Sequence, residues 1–234
     1  MRAKVFLRAE KNAVIPVNYQ HHLSSAIYYF IEENNPDLSS SLHHSRRFKF
    51  FNFSNLKIDR KKVEGEKIHI YPGALLFNFS SPNSEILKAT ITGMLQTGEI
   101  TIGKERLAID RIEILETPQF GTTALFRTLS PVYIDSGEKP RRDLLPDDPR
   151  WKKRLEENTA RKYEEYTGKK PPGPTKIGDV YWFRRKRIKI RESWWHCANA
   201  EFTVQAPPEI LLFIWETGIG NKNSQGFGCL EMRG

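Results

Sequence analysis

The sequence predicts an α+β fold built from two tandem ferredoxin-like (βαββαβ) domains, residues 1–118 and 119–234. Three observations predict it. Hydrophobic periodicity gives strand–helix–strand–strand–helix–strand over the first half. The same order returns in the second half without detectable sequence identity between the two. Glycine and proline punctuate the joints. The chain has 234 residues, 38% of them hydrophobic, enough to bury a core and to argue against disorder.

In order, AKVFLRA (3–9) alternates apolar and polar residues like a strand. In residues 20–34, Leu23, Ile27, Phe30 and Ile31 fall on one face of a 3.6-residue period and predict a helix. Asn35-Pro36 stops it, because the residue before proline avoids the helical region. The next residues read as a loop carrying His43 and His44. FKFFNFSNLKI (48–58) and KIHIYPGALLFNFS (67–80) are rich in strand formers. Residues 81–98 open on Ser and Asn and close on Gly98, a second helix, and 99–115 return to strand. In the second domain, 122–134 predict a strand and 147–168 a charged surface helix, followed by the break PPGP (171–174). Residues 179–191 and 194–206 form a paired ribbon, 207–218 a short helix opened by proline, and 227–233 a closing strand.

Lys and Arg number 37 against 28 Asp and Glu, a net charge of +9, which points to a polyanionic partner. The two cysteines, Cys197 and Cys229, form no CxxC pair, and neither an HExxH string nor an EF-hand loop occurs. No metal and no cofactor are expected. The N-terminal residues lack a signal-peptide core and the longest apolar run, ILLFIW, is too short to span a bilayer, so a cytoplasmic protein without a membrane partner is expected.

Two motifs suit a polyanion. WETGIGNKNSQGFGCLEM (215–232) places Gly218, Gly220, Gly226 and Gly228 around Lys222, Asn223, Ser224 and Gln225. It is neither a P-loop nor a dinucleotide fingerprint, since Asn223 stands where the third glycine would be. A structural turn usually needs one or two glycines, so four favour a loop that meets a polymer backbone. The run Arg184–Arg191 carries six cations in eight residues. On a strand Arg185, Arg187, Lys189 and Arg191 share one face. Edge protection requires fewer cations, and the arginine fork suits phosphate. The flanking Tyr181, Trp182, Phe183, Trp194 and Trp195 are expected mostly in the core.

A third constellation follows the first helix: Tyr28 off its apolar stripe, then His43 and His44, then Arg46, Arg47 and Lys49. Singly, each suits a boundary or loop residue. Together they fit metal-free RNA cleavage, in which the 2′-hydroxyl is the nucleophile. A histidine with an unperturbed pKa of about 6.5 serves as acid or base. Lys49 suits the charge on the phosphate oxygens. Tyr28 either acts as a base, if a nearby cation lowers its pKa, or orients the reacting groups.

GIGNKNSQGFGCLE and NYQHHLSSAIYYFIEENNPDLSSSLHHS resemble the CRISPR-associated endoribonuclease that cuts precursor CRISPR RNA within its repeats. This is the sixth Cas family, of the repeat-associated mysterious protein superfamily, and the resemblance spans the chain. It implies a tandem ferredoxin-like fold, CRISPR repeat RNA as partner, and a CRISPR effector complex as a further one. It also implies that the glycine-rich loop contacts RNA and that Tyr28, His43 and Lys49 form the active site. Tyr29 and His44 stand one residue away from two of these. A repeat-specific endoribonuclease is the leading expectation. A non-cleaving repeat-binding subunit and an unrelated ferredoxin-like RNA-binding protein are the alternatives, and monomer or homodimer is left open.

Overall fold

The computed structural model describes residues 1–44 and 48–233, without the side chains of His43 and His44. The chain divides into two compact units, Met1–Lys49 with Asn55–Glu116, and Phe50–Ser54 with Thr117–Gly234. Each carries a ferredoxin-like antiparallel sheet.

The first unit contains strands β1 (Arg2–Ala9) and β2 (Ala13–Pro16), helices α1 (Gln20–Asn34) and α2 (Pro36–His44), strands β4 to β7, α3 (Ser84–Thr97), β8 (Glu99–Ile102) and β9 (Glu105–Leu115). The short β3 (Asn52–Phe53) belongs to the other unit. In the main sheet β1 is central, with β9 then β8 on one side and β7 (Gly73–Ser80) then β4 (Lys57–Ile58) on the other. That is the ferredoxin-like order, with β7 and β9 flanking the first strand. A second sheet, β2–β6–β5, adds the hairpin β5 (Lys61–Glu64) and β6 (Lys67–Ile70).

The expected helix stripe is real: Leu23, Ile27, Phe30 and Ile31 are all buried. The loop expected after it is instead α2. Asn35 ends one helix and begins the next, because its amide donates to the Ile31 carbonyl while its side chain accepts from Leu38 N at 3.0 Å. Pro36 lacks the N–H that a first-turn residue leaves unpaired anyway, so the proline that stops α1 also opens α2. Three expected strands are shorter or broken. Residues 48–58 yield only β3 and β4, Tyr71-Pro72 separates β6 from β7, and a turn at Gly103 makes β8 and β9 a hairpin.

The second unit runs β10 (Thr123–Thr128), β11 (Ile134–Asp135), β12 (Asp143–Leu144), α4 (Arg150–Thr167), β13 (Lys176–Ile190), β14 (Ser193–Gln205), α5 (Pro208–Thr217) and β15 (Leu230–Arg233). Its sheet order, β13–β14–β10–β15, is again ferredoxin-like. Phe126 and Phe202 from the sheet meet Trp151 and Leu155 of α4 and Ile210 and Ile214 of α5 in one buried cluster. Helix α4 is therefore not a surface helix throughout. Trp151, Leu155, Asn158, Thr159 and Lys162 form a buried stripe at helical spacing under its charged exterior.

Helices α1 and α3 approach most tightly at Gly93, where an added Cβ would lie 2.7 Å from the Phe30 carbonyl oxygen and 2.8 Å from Phe30 Cβ. Replacing Gly93 with Ala should gain about 1 kcal/mol of helix propensity and lose about 1–3 kcal/mol to overpacking. A fall in the thermal midpoint is expected. A rise would show that α1 can move aside freely.

Candidate active site and nucleic-acid interface

The glycine-rich loop follows α5, and its glycines serve the loop's own packing. Gly220 and Gly228 have φ of 75° and 71°, and an added Cβ would lie 2.4 Å from the Tyr133 carbonyl oxygen and 1.9 Å from that of Ile219. Gly218 and Gly226 also have positive φ. The expectation that four glycines exceed what a structural turn requires is thus corrected, because the backbone crosses itself here.

Asn223 occupies the centre of the loop. Its Nδ2 donates to the carbonyls of Ile219 and Phe227, both at 3.0 Å, and its Oδ1 accepts from Lys162 Nζ at 2.7 Å. Lys162 Nζ also donates to the Gly218 carbonyl at 2.8 Å. The Asn223 side chain is therefore held inside the loop by three hydrogen bonds. Burial, with the Arg161 charge second, pulls the Lys162 pKa down to about 7. Lys222, Ser224 and Gln225 stay half-buried on the loop's outer turn. Lys222 is held in a left-handed conformation, φ 60°, which disfavours a residue with a side chain.

The loop is joined to the ribbon β13–β14. Phe227 shares a buried cluster with Tyr133, Ile188, Ile190, Trp195 and Cys197. Lys222 Nζ lies 4.1 Å from the centroid of the Trp195 ring and the Arg141 guanidinium carbon lies 4.0 Å from it. Burial and the nearby Arg141 charge hold the Lys222 pKa below its ordinary value, partly offset by Asp135. The structure thus brings two separately expected motifs, loop and ribbon, to one indole. Arg141 and Lys162 were missed by sequence reasoning. The helical spacing from Trp151 to Lys162 was the available signal for Lys162.

Along the ribbon, Arg185, Arg187 and Lys189 share a face, paired with Ala198, His196 and Trp194. Arg185 forms an ion pair with Asp147 and Arg187 stacks over Trp194 at 4.2 Å. Arg191 is not on that face: it sits in the turn after β13 with φ 54°. The flanking aromatics also depart from expectation. Tyr181, Trp182, Phe183 and Trp194 are exposed, and only Trp195 is in the core.

In the first unit Tyr28 is half-buried on α1. Lys49 Nζ donates to the Leu42 carbonyl, in the last turn of α2, immediately before His43. A cation is favoured at that negative helix end. Partial burial lowers the Lys49 pKa. The structure therefore brings Lys49 to the backbone of the last turn of α2, at the residue before His43. The His43 side chain, Arg46 and Arg47 lie outside the described residues.

These two units, the second with a cationic ribbon packed on a glycine-rich loop, define a tandem ferredoxin-like protein. The sequence profile described as CRISPR-associated protein Cas6, N-terminal, matches residues 14–113, and that described as Cas6, C-terminal, matches 115–232. The CRISPR-associated endoribonuclease Cas6 1 of Methanocaldococcus jannaschii is 32% identical over 98% of this chain and 92% of its own. A Pyrococcus horikoshii protein named endoribonuclease-like Cas6nc is 26% identical over 99% of both chains. A solved Cas6-related protein from Pyrococcus furiosus superposes with a TM-score of 0.91 at 27% identity, covering 100% of this chain and 98% of that one. A structure described as a RAMP protein binding different RNA substrates superposes with 0.90 at 26%, covering 100% of both. The chain belongs to the Cas6 family.

Lys162 generates a pH signature. Its unfolded pKa is near 10.5 and its folded value about 7, so between them the unfolded chain holds a proton that the folded chain has released. Its contribution to stability therefore rises with pH across that window, by at most about 1.4 kcal/mol per unit, and is flat below it. In Lys162→Met this slope should vanish while the loop loses its two hydrogen bonds. Denaturant melts of both proteins from pH 7 to 10 measure it, and parallel pH profiles would refute the assignment.

Proposed function

We propose that this protein is an endoribonuclease that cuts precursor CRISPR RNA within its repeats, using the RNA's own 2′-hydroxyl and no metal ion. Family membership along the whole chain supports the substrate. The observation that carries the chemistry is Lys49 folded back onto the last turn of α2 at Leu42, next to His43 in the chain and downstream of Tyr28 on α1.

In the proposed reaction the 2′-hydroxyl gives its proton to a base and its oxygen bonds to the adjacent phosphorus. The bond from phosphorus to the 5′-oxygen breaks, and that oxygen takes a proton from an acid. The products are a 2′,3′-cyclic phosphate, open to hydrolysis to a 3′-phosphate, and a 5′-hydroxyl. His43 serves as the acid/base residue and Tyr28 as its partner. Lys49 is proposed to supply the ammonium that offsets charge building on the non-bridging oxygens. The half-buried polar residues of the glycine-rich loop, Lys222, Ser224 and Gln225, with Arg185, Arg187 and Lys189 of the ribbon, are proposed to contact the RNA backbone. Arg46, Arg47 and Arg191 are proposed as further phosphate contacts. The similarity to Cas6nc favours a second reading, repeat binding without cleavage.

One experiment separates them. Repeat RNA is incubated with the protein in EDTA beside an RNA carrying a 2′-deoxy group just upstream of the cut. The first should be cleaved and the second only bound. His43→Ala should slow cleavage at least about tenfold with binding nearly unchanged. Tight binding with neither RNA cut would establish the second reading. An undiminished His43→Ala rate would remove the role from His43.

A further inference from the structure

Three consecutive aromatic side chains stand in solvent on β13: Tyr181 is 62% exposed, Trp182 44% and Phe183 36%. Strand β13 is the edge of its sheet, and its register with β14 shifts between Val180 and Trp182, so Tyr181 is the extra residue of a bulge. An exposed apolar run of this kind marks an interaction surface.

The same segment argues against a protein strand as occupant. Directly after the aromatics come Arg184, Arg185, Lys186 and Arg187, all exposed. Edge cations and an edge bulge both discourage pairing with another strand. What they suit is a flexible polyanion that carries π-faces, which is single-stranded nucleic acid.

The register gives the geometry. Trp182 pairs with Glu201, Arg184 with Asn199 and Lys186 with Cys197, so Trp182, Arg184 and Lys186 project from one side of the strand at alternate positions. It is the side away from the cluster formed with α4 and α5, to which Ala200 and Phe202 contribute. Arg127 also reaches this side, 5.9 Å from the Trp182 ring centroid. Among the described residues no carboxylate lies within ion-pair distance of Arg184 or Lys186, whereas Arg185 is paired with Asp147. Phe183 pairs with Ala200 and projects from the other side, so on this side the Trp182 indole is followed by two cations without an ion-pair partner among the described residues, along the edge strand. Trp182, the stacking end of the platform, is distinct from the Trp195 junction, because Trp195 pairs with Ile188, six residues further along β13, or about 20 Å, while Lys186 marks the end nearest that junction.

We propose that Trp182, with Tyr181 of the bulge beside it and with Arg184 and Lys186, forms a stacking platform for single-stranded RNA flanking the repeat segment that the glycine-rich loop engages. It rests on the proposed function for the identity of the RNA but not for the mode of binding. Stacking on a π-face tolerates any base, so the platform reads no sequence. That suits a flank whose sequence differs from one precursor to the next.

The test compares a minimal repeat RNA with the same RNA extended by a single-stranded segment at either end, by fluorescence anisotropy. At one end the extension should tighten binding by about tenfold or more, equally for two unrelated extension sequences. The double variant Tyr181→Ala/Trp182→Ala should lose most of that gain while binding and cutting the minimal repeat within about twofold of wild type. As a check that needs no variant, 5-bromouridine in the extension of wild-type complexes should crosslink to Tyr181 or Trp182. No gain from either extension, equal weakening of both RNAs, crosslinks confined elsewhere, or a change in sedimentation showing that a second copy covers this edge would each overturn the proposal. Cleavage of the minimal repeat is read in the same samples. Loss of the proposed function therefore shows there, and loss of the platform shows only in the extension-dependent gain.

Discussion

A buried lysine amine is the constraint around which the second unit is organised. Lys162 carries its amine into the interior on a helix whose apolar stripe has run out, and there it meets the Gly218 carbonyl and the Asn223 amide oxygen. Burying a polar group is costly unless its hydrogen bonds are met. The cost of leaving the buried amine without these two acceptors therefore favours the loop conformation that supplies them. Asn223 then ties Ile219 to Phe227, and the glycines follow because the crossing strands of the loop leave no room for a Cβ.

That internal order has an outward result. The loop's packed side, through Phe227, belongs to the same cluster as the ribbon's Ile188 and Trp195. Its outer turn directs Lys222 to the indole that Arg141 also approaches. Loop and ribbon are consequently one cationic surface. Its stiffness matters for recognition: charges fixed before the ligand arrives lose less side-chain entropy on binding.

Much of this was legible. The α1 stripe, the capped α3 and both βαββαβ orders follow from periodicity and end signals, which are local. What escaped depended on partners distant in sequence. Asn35-Pro36 reads equally as a stop or as a joint between two helices, and only the cap bond to Leu38 decides. The glycines looked like an excess because nothing in the loop's own sequence shows that Tyr133 presses against Gly220. Tyr181, Trp182 and Phe183 looked like core because apolar residues on a strand usually are. Their exposure follows from β13 being an edge, a property of the sheet and not of the segment. Position-by-position matching reached Lys49, which the fold brings to the turn before His43, while it offered no route to Arg141.

Gly93 touches no residue assigned to RNA, yet it sets how closely α1 lies on α3. Tyr28 travels with α1. Displacement of a catalytic group by about 1 Å can cost a hundredfold in rate, so under the proposed reaction the hydrogen atom that is glycine's side chain is under selection for catalysis. Natural variation should therefore be scarcer at this silent interior position than at the exposed helix residues beside Tyr28. A lineage released from the need to cut RNA would still hold Gly93, because a side chain there would press on Phe30.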